Sequence, residues 1–137
     1  MTVYCFDTDA LSATLWQRPP VELIRRLAHI SPDDQATTTI TVGEMLYGAK
    51  KRGNVRLAQR IKDVTFAGLH VLPFDEPAAR TYADVRVELE RQGRRLDEPD
   101  TRIAAIALSR DLTLITGNVR HFARVPDLRV ENWLEPG

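Results

Sequence analysis

Features typical of secreted, membrane-bound or zinc-binding proteins are scarce in this sequence. Cys5 is the one cysteine, so no disulfide can form within the chain, as is usual in a reducing cytoplasm. The longest apolar runs are far too short to span a bilayer, and the first residues do not resemble a secretory signal. We therefore expect a cytoplasmic protein that makes no membrane contact.

Motifs of several common enzyme classes are also missing. The three histidines lie far apart and, with a single cysteine, provide no zinc-ligand spacing. There is no Walker loop, no GxGxxG and no GxSxG, so nucleotide-binding folds of those types and serine hydrolases have no support. Basic and acidic residues number 19 each, and this zero net charge predicts no general attraction to nucleic acid.

What the sequence does contain is a regular alternation of strand-like and helix-like segments. The length of 137 residues, 43% of them hydrophobic, is typical of one soluble domain covering residues 1–137. The alternation indicates an α/β fold with a central, mostly parallel sheet of four to five strands. We predict strands at 3–6, 36–40, 69–72, 112–115 and 128–130, and helices at 9–16, from 19 onward, at 41–51, 55–66 and 76–92, and around 100–108.

Four polar residues occupy equivalent places in this alternation. Asp7 and Asn118 follow the first and fourth strands, Glu44 lies in the helix after the second strand, and Asp100 opens the helix before the fourth. In a parallel sheet the first three converge on one edge, where Asp100 can reach them. Carboxylates forced together raise each other's pKa, and a divalent cation with a preference for oxygen ligands, such as Mg²⁺ or Mn²⁺, would relieve that repulsion.

Each of these residues also has a structural interpretation. Asp7, Asp100 and Asn118 are suitable helix N-caps. Thr41 and Glu44 have the spacing of a capping box, in which Glu44 would bond back to the backbone. Taken together, however, the four residues favour a metal site over four unrelated caps.

Five segments stand in a fixed order along the chain: 6–9 (FDTD), 41–48 (TVGEMLYG), 99–107 (PDTRIAAIA), 114–122 (LITGNVRHF) and 130–133 (VENW). This ordered set resembles the motifs of the PIN domains, and most of all those of the VapC toxins. Two positions depart from the usual pattern: Asn118 and His121 stand where related proteins often carry acids.

The resemblance implies a three-layer α/β/α fold and an endoribonuclease that hydrolyses RNA phosphodiester bonds with Mg²⁺ or Mn²⁺. It implies that Asp7, Asp100 and Glu44 bind the metal and that Asn118 completes the catalytic set. It further implies a homodimer and a cognate VapB-like antitoxin lying across the acidic groove. For contacts to RNA phosphates, residues 50–52 and the pair Arg94 and Arg95 are candidates, with a solvated surface as the alternative.

Two other functions remain as alternatives. The first is a catalytically degenerate PIN or metal-binding α/β module that acts through partners. The second is a haloacid-dehalogenase-like phosphatase with Asp7 as nucleophile and Asp9 as general acid, although Ala10 and Leu11 follow where that class has Gly-Thr.

Overall fold

A computed structural model of the chain describes residues 3–66 and 68–136. Within this part, five short strands form one sheet in the order β3-β2-β1-β4-β5, and every neighbouring pair is parallel. The strands are β1 (Tyr4–Phe6), β2 (Gln35–Thr38), β3 (His70–Leu72), β4 (Thr113–Ile115) and β5 (Val130–Glu131). The predicted α/β fold with a parallel sheet is confirmed.

Helices connect these strands and cover both faces of the sheet. They are α1 (Thr8–Ala13), α2 (Val21–Leu27), α3 (Thr39–Lys51), α4 (Val55–Phe66), α5 (Glu76–Arg91), α6 (Glu98–Ser109) and α7 (Val119–Phe122), with a 3₁₀ turn at Pro32–Asp34. None of the helices in the described ranges is both long and apolar enough to cross a membrane.

The sheet separates two hydrophobic cores because consecutive strand residues point to opposite faces. Cys5 and Leu114 belong to the core under α5 and α6, whereas their chain neighbours Phe6 and Ile115 belong to the core under α1, α2, α3 and α4. Burial raises the pKa of the Cys5 thiol to about 12, so this residue is a buried apolar side chain rather than a nucleophile. The architecture therefore has three layers, as the resemblance implied.

The strand order creates a crevice between β1 and β4. From β1 the chain proceeds outward through β2 to β3, and it then returns to place β4 and β5 on the other side of β1. The connections leave the carboxyl ends of β1 and β4 in opposite directions, and ligands of open parallel sheets collect at such a point. The fold thus predicts a ligand site at the segments that follow Phe6 and Ile115.

The start of α3 differs from the sequence prediction. The second strand ends at Thr38 rather than Ile40, because the Thr38 hydroxyl accepts a hydrogen bond from the Thr41 amide at 3.0 Å and caps the helix. The capping box of Thr41 and Glu44 is therefore wrong. Glu44 lies beyond the first turn of α3, and its carboxylate is free to bond elsewhere.

Candidate active site

An acidic cavity of about 220 Å³ lies at the crevice between β1 and β4. All four residues singled out from the sequence line it, although they come from segments far apart in the chain. Five of its eight lining residues are acids, so the cavity is strongly negative for a chain whose net charge is zero. Its lining consists of Asp7, Thr8, Asp9, Glu44, Asp97, Asp100, Asn118 and Phe122.

Asp7 is held rigidly at the centre of the sheet. Its backbone N–H donates to the Ile115 carbonyl of β4 at 3.0 Å, and its carboxylate accepts from the Ala10 N–H at 2.9 Å. The carboxylate therefore caps α1, as one of its two interpretations predicted. Only 4% of the residue is exposed.

Glu44 is positioned by a contact between two helices. The Thr8 hydroxyl at the start of α1 donates to Glu44 Oε1 on α3 at 2.6 Å. Because Thr8 directly follows Asp7, this bond ties the orientation of Glu44 to the residue beside the central carboxylate. Sequence reasoning gave Thr8 no such role.

Asp100 lies in the first turn of α6 but does not cap that helix. Asp97 is the N-cap, and its carboxylate accepts from the Asp100 N–H at 2.9 Å, so the predicted cap at Asp100 is wrong. This leaves the Asp100 side chain directed to the cavity. Nε2 of His121 lies 3.5 Å from Asp100 Oδ2, so His121 is a direct neighbour of the site, a contact that sequence reasoning missed.

Asn118 occupies the N-cap position of α7 without making a side-chain cap bond. Its backbone N–H donates to the Thr116 hydroxyl at 2.9 Å, which fixes the turn after β4. The cap interpretation of Asn118 is thus wrong, and its amide lines the cavity.

The two central carboxylates are strained electrostatically. Burial raises the pKa of Asp7 to about 6, against hydrogen bonds from Thr116 and Ala10 that lower it. Burial is also the main cause that raises the pKa of Asp100 to about 7, and the charges of Asp97, Asp7 and Glu44 add to it. Both groups therefore hold a proton more tightly than free aspartate does.

These residues provide the donor set of a hard cation without yet enclosing one. Carboxylate and amide oxygens are the ligands that Mg²⁺ and Mn²⁺ prefer. Across residues 3–66 and 68–136, however, no three acidic, imidazole or thiol groups already stand in a metal-ligating arrangement. The chemistry of the cavity fits a divalent cation, and its side chains would have to close around one.

A second, less polar groove of about 360 Å³ shares Thr8 and Glu44 with the acidic cavity. It is lined by residues of α1, α3 and α4 together with Trp16 and Arg52. Trp16 is 53% exposed, whereas Leu11 on α1 is 2% exposed and belongs to the core. The groove thus adjoins the acidic cavity through these two shared residues.

Comparisons with known proteins agree with this fold. A family model, PIN domain, matches residues 4–128. The tRNA(fMet)-specific endonuclease VapC of Salmonella typhimurium is 32% identical over 133 residues, covering 97% of this chain and 99% of that protein. Ribonuclease VapC2 of Haemophilus influenzae is 31% identical over 134 residues, covering 98% and 100%.

Solved structures show the same similarity in three dimensions. The crystal structure of DNA-bound VapBC from Salmonella typhimurium has a TM-score of 0.87 at 31% identity and covers 97% of this chain and 99% of that chain. VapBC2 from Rickettsia felis, bound to a DNA fragment from its promoter, has a TM-score of 0.86 at 26% identity, covering 96% and 99%.

The chain therefore belongs to the PIN domain family, and within it to the VapC ribonucleases. Its activity is that of a nuclease, a hydrolase of phosphodiester bonds. The comparisons favour neither the phosphatase nor the non-catalytic module.

Proposed function

We propose that this protein is a metal-dependent endoribonuclease, with Mg²⁺ or Mn²⁺ bound in the acidic cavity, and that it is the toxin of a toxin–antitoxin pair. The observation that carries the proposal is the convergence of Asp7, Glu44 and Asp100 from three separate segments on one cavity. A fold gains nothing from burying mutually repelling carboxylates, and a bound divalent cation offsets that cost.

Asp7, Asp100 and Glu44 are the residues that would hold the cation. When bound, it would lower the pKa of an attacking water molecule and neutralise charge on the scissile phosphate. Asp7 is fixed by β4 and by its cap on α1, so it provides the rigid point of the site. Asp100 enters from the first turn of α6 on the opposite wall.

Glu44 and Asn118 complete the set in different ways. The bond from Thr8 restrains Glu44 Oε1, leaving the other carboxylate oxygen available to orient a water molecule or to bind the metal. Asn118 contributes a neutral amide, which can support the ligand shell without adding a further negative charge. RNA carries a negative phosphate at every nucleotide, and this cavity is itself negative, so the two repel each other. A bound cation would therefore also decide whether the substrate can enter.

The test compares RNA cleavage by the purified, antitoxin-free protein in Mg²⁺, in Mn²⁺ and in chelator. We expect cleavage that requires metal and that falls by at least about a hundredfold in Asp7→Asn, since the variant keeps the cap and loses the charge. Asp84→Asn, which neutralises an exposed aspartate on α5, is the matched control and should cleave normally. Full activity in chelator, or in Asp7→Asn, would contradict the proposal.

The similarity to VapBC complexes supports a VapB-like antitoxin as the partner. The homodimer and the cytoplasmic location expected from the sequence stay predictions. The apolar groove beside the cavity fits an amphipathic antitoxin segment, because Leu15, Trp16 and Ile61 line it and it shares Glu44 with the cavity. A Trp16→Ala variant should bind the cognate antitoxin more weakly while RNA cleavage is retained, measured by titration of the toxin against the antitoxin.

A further inference from the structure

The positive charge of this neutral chain is concentrated in the helical hairpin formed by α3 and α4. All three lysines of the sequence lie there, and between residues 45 and 66 the sole acid is Asp63. The basic residues of the hairpin are Lys50, Lys51, Arg52, Arg56, Arg60 and Lys62. A count over the whole chain conceals this separation of charge.

The basic side chains of the hairpin differ from those of α5 and α6 in having no acidic partners. On α5 and α6, Arg80, Arg86 and Arg102 each pair with a glutamate one helical turn away, at Glu76, Glu90 and Glu98 respectively. None of the six hairpin cations forms an ion pair with a carboxylate of the described residues. A solvated helix face usually mixes both signs of charge, so an unneutralised cluster indicates a polyanionic partner.

The cluster begins where the acidic cavity ends. Glu44, Tyr47 and Lys51 are spaced at i, i+3 and i+7 on α3 and so share one side of the helix, with Lys51 about 10 Å beyond Glu44 along its axis. Tyr47 is 65% exposed, and Nζ of Lys51 lies 5.7 Å from its ring centroid. Arg52 lines the groove that shares Glu44 with the cavity.

We propose that the C-terminal end of α3, formed by Tyr47, Lys50, Lys51 and the C-cap Arg52 and called here the basic hairpin face, binds the RNA strand where it leaves the acidic cavity. The proposal rests on the proposed ribonuclease function. The three cations contact backbone phosphates, and the ring of Tyr47 stacks on an unpaired base. The phosphate contacts position the strand but do not distinguish one base sequence from another.

The other basic candidates in the sequence fit this role less well. Nε of Arg95 lies 3.8 Å from the carboxylate of Glu90, so part of its charge is already matched. Arg94 lies beside it in the loop after α5, which contains no aromatic side chain that could stack on a base. The basic hairpin face combines unpaired cations, an exposed ring and a direct connection to Glu44.

The test separates binding from cleavage in full-length protein with metal present, using bulk transfer RNA and single-stranded poly(U) as probes. The variant Lys50→Gln/Lys51→Gln/Arg52→Gln is compared with Arg80→Gln/Arg86→Gln/Arg91→Gln, which removes the same charge from α5. Glutamine keeps the helical propensity in both. RNA affinities are measured in proteins that also carry Asp7→Asn, so that the RNA stays intact. The values of kcat and KM are measured in proteins that retain Asp7.

We expect the hairpin variant to raise KM by on the order of tenfold with kcat unchanged. The slope of log affinity against log salt should fall by roughly 2, because each phosphate that a cation neutralises on a single strand adds about 0.7 to it. Tyr47→Ala should weaken poly(U) binding roughly tenfold, and Tyr47→Phe should restore it. The α5 variant should behave as the parent protein does.

The outcomes distinguish this inference from the one on which it rests. If the parent protein neither cleaves nor binds RNA with metal, the ribonuclease proposal itself fails. If the parent protein cleaves and the hairpin variant retains its KM and salt slope, or if both triple variants are weakened equally, the basic hairpin face is not the RNA site. Unchanged RNA affinity with weakened antitoxin binding would likewise overturn it and assign this face to the antitoxin.

Discussion

Asp7→Asn should make the metal-free protein more stable while it removes activity. The Asp7 carboxyl is 4% exposed, and its pKa is raised from 3.8 to about 6 in the folded state. An increase of this size corresponds to about 3 kcal/mol, at roughly 1.4 kcal/mol per pH unit. Because the folded pKa is the higher one, the protonated form is favoured by folding. Stability from this group is complete below about pH 4 and is lost as the pH rises through about 6.

The Asp7→Asn substitution removes the charge of the side chain but keeps the N-cap of α1. Its side-chain oxygen can still accept from the Ala10 N–H, and Asn and Asp are equally good N-caps. We therefore expect the free energy of unfolding of the variant to exceed that of the parent protein by up to about 3 kcal/mol at pH 8 in chelator, or roughly 10 °C in Tm. Near pH 4 the two proteins should be equally stable. Asp100, whose pKa is raised to about 7, should make the parent's stability continue to fall toward that pH.

The assay is thermal and urea unfolding of both proteins from pH 4 to pH 8 in chelator, with Asp84→Asn as the exposed control. Adding Mg²⁺ or Mn²⁺ at pH 8 should raise the Tm of the parent protein and leave that of Asp7→Asn nearly unchanged. A less stable Asp7→Asn at pH 8 in chelator would refute the reasoning, because it would mean that the buried charge of Asp7 stabilises the fold.

Two further predictions concern the supports of the site. Thr8→Val removes the hydroxyl that orients Glu44, so kcat should fall about tenfold, and Thr8→Ser should restore it. The free energy of unfolding of Thr8→Val should fall by only about 1–3 kcal/mol. Trp133→Ala should lower the free energy of unfolding in urea by about 3–5 kcal/mol. Trp133 is 2% exposed, packs on Phe6 next to Asp7 and lies under Arg26. A loss below about 1 kcal/mol would contradict this packing.

The element types followed from the sequence because each segment carries a strong local signal. The boundaries at 55–66 matched the helix that forms, and Gly53 ends the helix before it with a φ of 68°. The strand order could not be predicted, since parallel neighbours are chosen by contacts between distant segments. That residues 1–137 form a single domain stays a prediction.

Local errors arose where two residues could serve the same purpose. Thr38 and Thr41 are both suitable N-caps three residues apart, as are Asp97 and Asp100. In each pair the structure uses the earlier residue for the cap, which frees Glu44 and Asp100 for the cavity. The prediction that the four polar residues converge is supported by the shared cavity, whereas their roles as ligands and catalytic groups stay predictions.

The contact of His121 with Asp100 was missed for a different reason. It joins α7 to the first turn of α6, and although the resemblance marks His121 as a position where related proteins often carry an acid, it does not pair that position with Asp100. The position of His121 three residues after Asn118, one helical turn away, is the local signal that could have placed it near the site.

The zero net charge of the chain conceals two opposite electrostatic regions on one helix. Glu44 faces the acidic cavity, and Lys51 lies about 10 Å away on the same side of α3. That distance is about one Debye length in physiological salt, so the two regions act on RNA nearly independently. If the basic hairpin face binds RNA, chelation should stop cleavage and leave much of the binding intact, because the cation is needed only where the scissile phosphate meets Asp7, Glu44 and Asp100.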